Sequence, residues 1–124
     1  MKYLCLVYFG EMEHTELSQN AWDALNARGI AYREAIANSG HGLAGETLES
    51  TQTATTVRVR DGKMSTAHGA FAETKEQLGA FYYIEARDLN EAIQLASNIP
   101  SAELGSIEVR PVRSLIRNSI PSSK

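Results

Sequence analysis

The chain has 124 residues, 43% of them hydrophobic and 22% charged, with a formal net charge of −3. That length fits one domain with a real core and no need of staples. The slight acidity speaks against the broad basic face that nucleic acid requires, and the single cysteine, Cys5, excludes an intramolecular disulfide or a cysteine metal cluster.

The chain opens with "KYLCLVYF", whose aromatic and branched residues fall on both alternating faces. This predicts a strand buried on both sides. The apolar run contains Tyr3 and Tyr8 and meets Glu11 and Glu13 at once, with no small-residue cleavage site, so it does not read as a signal peptide. No stretch approaches the ~18 apolar residues of a membrane span. The expectation is a soluble, cytoplasmic protein without a membrane partner.

After a polar loop, Ser18 is placed to cap a helix over about 19–38, with Leu17 and Trp22 arranged as a hydrophobic staple. Trp22, Leu25, Tyr32 and Ile36 recur at helical spacing. Gly29 weakens the middle of that helix by ~1 kcal/mol relative to alanine, and Gly40 marks its end. A short extended segment follows around 42–48. In "TATTVRVRDGKMSTA", Asp61-Gly62 between alternating segments predicts a type I′ hairpin with Val59 facing Met64 and Arg60 facing Lys63. Residues 68–78 read as a loop, and "GAFYYIEA" as the next strand. Asp88 and Glu91 form a capping-box pattern ahead of an apolar face of Leu89, Ala92, Ile93, Ala96 and Ile99, which Pro100 ends. "GSIEVRPV" is the last strand, placed at an edge because Pro111 has no N–H for a ladder. A domain over 1–113 and a polar tail over 114–124 complete the reading.

The predicted order is βαββαβ with an added hairpin, an α+β ferredoxin-like fold. Two helices cover one face of such a sheet, yet Tyr3, Cys5, Val7 and Phe9 oppose Leu4, Leu6 and Tyr8, and Phe81 and Tyr83 oppose Tyr82 and Ile84. Both faces demand burial, and a soluble monomer avoids an apolar patch of that size. A two-fold homodimer, sheet against sheet, is the simplest cover.

The candidate chemistry centres on residues 68–76. An imidazole ionises near neutral pH, so His68 at the end of a hairpin strand is suited to general acid or base work; its alternative is a loop residue capping a backbone group. Glu73 is the group to orient it, or pairs with Lys75 in a solvated charge run. Phe71, between small residues, reads as an anchor pinning the loop to the core and fixing His68. Tyr8, Tyr82 and Tyr83 offer hydroxyls to a ligand or simply fill the core. His14, His41 and His68 lack the close spacing of metal ligands, and no phosphate loop, nucleotide fingerprint or Ser-His-Asp order is present. No metal or cofactor is expected. His41, at a helix end, is placed to meet the helix dipole, and Cys5 reads as an inert buried thiol.

The run from Thr53 to Pro100 resembles the YCII-related proteins, and within them the DGPF subgroup, named for an Asp-Gly-Pro-Phe turn followed by Ala-Glu-Thr-Lys-Glu and a Gly-aromatic strand. The matching positions are His68, Gly69, Ala70 and Phe71, then Ala72 to Glu76. The resemblance also takes in the first strand, "SGHGLAGETL" and "GSIEVRPV", and so extends over 1–113. It implies a ferredoxin-like fold paired as a dimeric α/β barrel, and a His–Asp pair in a pocket between sheet and helices. Related domains occur beside sigma factors, which implies a sensory or regulatory role. This chain departs from the pattern: His68 stands at the Asp position, and no histidine lies on the first helix.

Two functions follow. One is a cofactor-independent enzyme on a small organic molecule, with His68 and Glu73 as its catalytic pair and Phe71, Lys75, Tyr8 and Tyr82 binding the ligand. The alternative is a non-catalytic ligand-binding or regulatory module with the same pocket. A third option is a structural dimer that binds a partner through its tail.

Overall fold

The computed structural model describes residues 1–10, 17–72 and 74–115. Strand β1 spans Lys2–Gly10, helix α1 Gln19–Asn38, β2 Gly42–Thr47, β3 Thr55–Arg60, β4 Lys63–His68, β5 Glu76–Glu85, helix α2 Leu89–Ser97 and β6 Gly105–Pro111. Strands β2, β5, β1 and β6 form one sheet in that order, and β3 and β4 form a separate two-stranded hairpin. Every neighbouring pair is antiparallel. The fold is α+β and ferredoxin-like, with the hairpin inserted between the second and third strands of the sheet.

Local chemistry explains the element ends. Ser18 accepts the Ala21 N–H at 3.1 Å and starts α1. At its far end Gly40 takes φ +87°, and the N–H groups of Gly40 and His41 donate to the carbonyls of Ala37 and Ile36. These are the two reversed bonds of a Schellman cap, which needs a left-handed residue at that position. Asp61 and Gly62 have φ of 54° and 75°, the conformation of a type I′ turn, and Val59 pairs with Met64 as expected. Asp88 Oδ1 accepts the Glu91 N–H at 2.9 Å, while Glu91 reaches back to the Arg87 N–H instead of the cap residue's own.

The core lies between the sheet and the helices. Tyr3, Cys5 and Val7 of β1 and Tyr82 and Ile84 of β5 are buried there, together with Ile36, Ala92, Ala96 and Ile99. Full burial of one large apolar side chain stabilises by ~1.5–3 kcal/mol. The opposite face of the sheet carries Leu4, Leu6 and Tyr8 against Tyr83, Phe81 and Leu78, all half-buried.

Three expectations need correction. Strand β5 begins at Glu76, not Gly79, because Glu76, Gln77 and Leu78 pair with Gly10, Phe9 and Tyr8 across a bulge. The unpaired residue is Gly79, where an added Cβ would stand 2.5 Å from the Phe9 ring. This extra residue restores Leu78 to the same face as Phe81. The apolar face of α2 is narrower than its periodicity suggests: Leu89 and Ile93 are exposed, and Ala92, Ala96 and Ile99 carry the contact. Phe71 does not anchor its loop to the core. It is 73% exposed, with the Arg58 guanidinium 5.0 Å from its ring centroid. The reason is that β3 and β4 pair only with each other, so the nearest surface for Phe71 is the hairpin's own basic face.

No helix among the described residues is long and apolar enough to cross a membrane. Residues 116–124, and with them most of the predicted tail, lie outside the described residues.

Candidate functional site

Helix α1 meets the sheet tightly at one end only. Near its C-terminus, Ile36 lies so close to Gly42 that an added Cβ there would stand 2.8 Å from it. One turn earlier the Tyr32 ring meets Tyr82 edge-on, centroids 5.3 Å apart, and its hydroxyl donates to the Leu95 carbonyl at 2.7 Å. Burial is the main cause that pushes the Tyr32 hydroxyl well above its ordinary pKa.

Toward its N-terminus the helix stands off the sheet. A cavity of about 710 Å³ opens between them, within the range of small-ligand sites. One stripe of α1, Trp22, Leu25, Gly29 and Arg33, forms its roof. Phe9, Ala80 and Tyr82 form its floor, Thr47 to Glu49 one side, and Pro100, Ser101 and Leu104 another. The void has a cause in the sequence. Ala80 on the floor and Gly29 on the roof are too small to fill it, and an added Cβ on Gly29 would meet nothing within 4 Å. Arg28 joins the helix to the turn after Pro100 in a two-pronged ion pair with Glu103, at 2.6 and 3.3 Å.

Arg33 and Tyr82 are the polar groups at the closed end. Tyr82 is 5% exposed. Burial pushes its hydroxyl pKa up, and the neighbouring Arg33 guanidinium works against that rise. Arg33 Nε is buried and has no hydrogen-bond partner among the described residues.

The candidates read from the sequence are dispersed. Tyr82 lies on the cavity wall. Tyr8 lies on the opposite face of the sheet, among Leu6, Leu78 and Phe81. His68 ends β4 and is exposed, opposite Thr55, as are Phe71 and Lys75 in the loop beyond it. The described residues of 68–76 do not line this cavity. Glu73 and His14 lie outside the described residues. The His41 Nδ1 lies 2.9 Å from the Glu85 carbonyl, so that imidazole meets strand β5 and not the helix dipole. Cys5 is fully buried, and burial pushes its thiol pKa up to about 11, as an inert thiol requires. Among the described residues no three His, Cys, Asp or Glu side chains converge as metal ligands do.

Reading the sequence missed Arg33 and Gly29 as site residues. The signal was present. Arg33 follows Trp22, Leu25 and Gly29 at helical spacing, so a cation sits on the inward stripe, where an apolar residue is the rule.

The profile of the YCII-related domain matches residues 1–116 of the chain. The chain belongs to the YCII-related family. A stretch of 77 residues, 60% of the chain, is 40% identical to an uncharacterized protein of Rhizobium meliloti (strain 1021), and the match spans 62% of that relative's length. Family membership and the ferredoxin-like topology therefore agree. Like the pocket that the YCII resemblance implies, this cavity lies between the sheet and a helix, but Arg33 and Tyr82 occupy its closed end.

Proposed function

We propose that this YCII-related protein is a cytoplasmic, ligand-binding module for a small organic molecule, seated between α1 and the sheet. The observation that carries the reading is the cavity itself: a lining of mixed apolar and polar residues, Arg33 and Tyr82 together at one end, and a glycine in the roof whose added Cβ would meet no atom. Tyr82, buried with a raised pKa, suits hydrogen bonding better than proton transfer at neutral pH. The cavity's described lining includes no histidine.

A panel of small organic metabolites, read by thermal shift on the wild type and Gly29→Leu, tests this. A ligand at a hundredfold excess over its Kd stabilises by about 2.7 kcal/mol. The expected result is a compound that raises the wild-type midpoint and leaves a well-folded Gly29→Leu unmoved. If every stabilising compound acts equally on both, the cavity is not the binding site.

A second reading keeps His68 and Glu73 as an acid–base pair, with Phe71 and Lys75 beside them in a DGPF-like loop. What favours it is the face on which His68 lies. Cross-strand pairing puts His68 with Val57, Val59 and Met64, and all three apolar side chains are exposed by more than half. A partner that covers this stripe would enclose His68. The half-buried face of Leu4, Leu6, Phe81 and Tyr83 supports a homodimer of sheet against sheet. Light scattering at micromolar concentration checks the dimer, and a monomer mass refutes it. Turnover that is unchanged between about pH 5 and 8 refutes His68 as the base.

A further inference from the structure

We infer that the cavity takes an organic monocarboxylate with an apolar or aromatic body, its carboxylate held by the Arg33 guanidinium. This rests on the reading of the cavity as a binding site and adds the ligand's charge and chemical class.

The argument begins with the state of Arg33. It lies on the inward stripe of α1, half-buried, with Nε shielded from solvent and unpartnered. The ion pairs among the described residues engage Arg28, Arg87, Arg110, Lys2 and the amino terminus, and Arg33 is in none of them. Its described partner is the Tyr82 hydroxyl, which accepts a hydrogen bond from the Arg33 side chain and offers it no counter-charge. A shielded guanidinium N–H without an acceptor is unfavourable. An N–H donor left unsatisfied in a cavity wall calls for an acceptor, and a ligand oxygen would supply it.

The geometry narrows the anion. A guanidinium presents a planar fork of donors that matches the two oxygens of a carboxylate. One cation balances one negative charge. Glu46 and Glu49, also in the cavity wall, would repel the second charge of a phosphate monoester. Beyond Arg33, Trp22, Leu25, Phe9 and Leu104 supply an apolar and aromatic surface, beside polar groups that include Asn26 and Thr47. The ligand thus has a charged head at the closed end and an apolar body toward the mouth.

Trp22 is the protein's single tryptophan, so its emission reports on this cavity alone. The probes are benzoate, phenylacetate and hexanoate, each paired with its neutral amide, titrated at constant ionic strength. At least one acid is expected to change Trp22 emission saturably and to bind about tenfold or more tightly than its amide, as loss of a charged hydrogen-bonding partner implies. Arg33→Met should abolish that preference while its thermal midpoint stays level or rises, and Arg33→Lys should restore part of it. Equal affinity of acid and amide, or a preference that survives Arg33→Met, overturns the carboxylate inference and leaves the binding reading standing. Silence from all six probes also overturns it. The binding reading itself falls only if the wider panel fails to distinguish the wild type from Gly29→Leu.

Discussion

The two ends of α1 are built on opposite plans. At the C-terminal end Ile36 is buried against Gly42, Tyr32 reaches across to the end of α2, and a Schellman cap closes the turn. At the N-terminal end the same helix lines the cavity with Trp22, Leu25 and Gly29, and an exposed ion pair joins Arg28 to Glu103. Propensity does not set this difference, because both halves are helical. It comes from what faces the helix beneath: Tyr82 meets Tyr32 edge-on under one end, while the small Ala80 leaves the floor open under the other. One end is packed on the sheet, and the other lines the cavity.

Substitution along the helix should expose this contrast. Ile36→Ala deletes a side chain that is 6% exposed and leaves a hole that the Gly42 backbone cannot fill. It should cost ~2–5 kcal/mol in urea unfolding. Ile30→Ala, the same chemical change at a residue 62% exposed, should move stability by no more than ~0.5 kcal/mol. If the two cost alike, the open end is packed in solution and the cavity reading is wrong. Tyr32→Phe comes next. It removes the donor to the Leu95 carbonyl, tying α1 to α2, and should cost ~1 kcal/mol without changing the size of the cavity.

Much of this arrangement could be read before any coordinates. Ser18, the Asp61-Gly62 turn and the Asp88 cap are local signals, and local signals fix element ends. The two-faced pattern of β1 and β5 placed both strands in the sheet, because side-chain period and burial are coupled there. The site was less legible. Cavities depend on which residues face each other across layers, and the smallness of Ala80 opposite Gly29 has no signature along the chain. His68 drew notice as a titratable residue in a loop, but loop polarity does not say which way a hairpin projects. Arg33 was the reverse case: its position on an apolar stripe was plain, yet a charge on a helix is so common that only the unpartnered Nε gives it meaning.

Gly29 sharpens the comparison in the opposite direction. Helix interiors disfavour glycine, so Gly29→Ala should raise stability by ~0.5–1 kcal/mol, because the added Cβ meets no atom. The gain should appear in the unliganded protein. A methyl group takes little of the cavity, so the affinity for a bound acid should change far less than in Gly29→Leu. A loss of stability would mean that the roof of the cavity lies closer to the sheet than the open arrangement allows.

The smallest effect belongs to the Arg28–Glu103 bridge. The Arg28 guanidinium holds the Glu103 carboxyl below the ordinary carboxylate range. A carboxyl with a depressed folded-state pKa contributes stability at pH values above its unfolded pKa. That contribution is lost as pH falls below about 4.3 and through the folded value. Both partners are exposed, so the effect on global unfolding is slight and salt-sensitive. Its location gives it a sharper readout. The bridge joins the free-standing end of α1 to the turn that forms one side of the cavity, so Glu103→Gln should loosen the open end before the closed one. Amide exchange around Trp22 and Leu25 should quicken in the variant at neutral pH, while exchange around Ile36 stays unchanged. In the wild type the protection of the same amides, corrected for the intrinsic exchange rate at each pH, should fall only on acidification. Uniform exchange along α1 in both proteins would show that the two ends move as one, and the division between a structural end and a binding end would then have no dynamic basis.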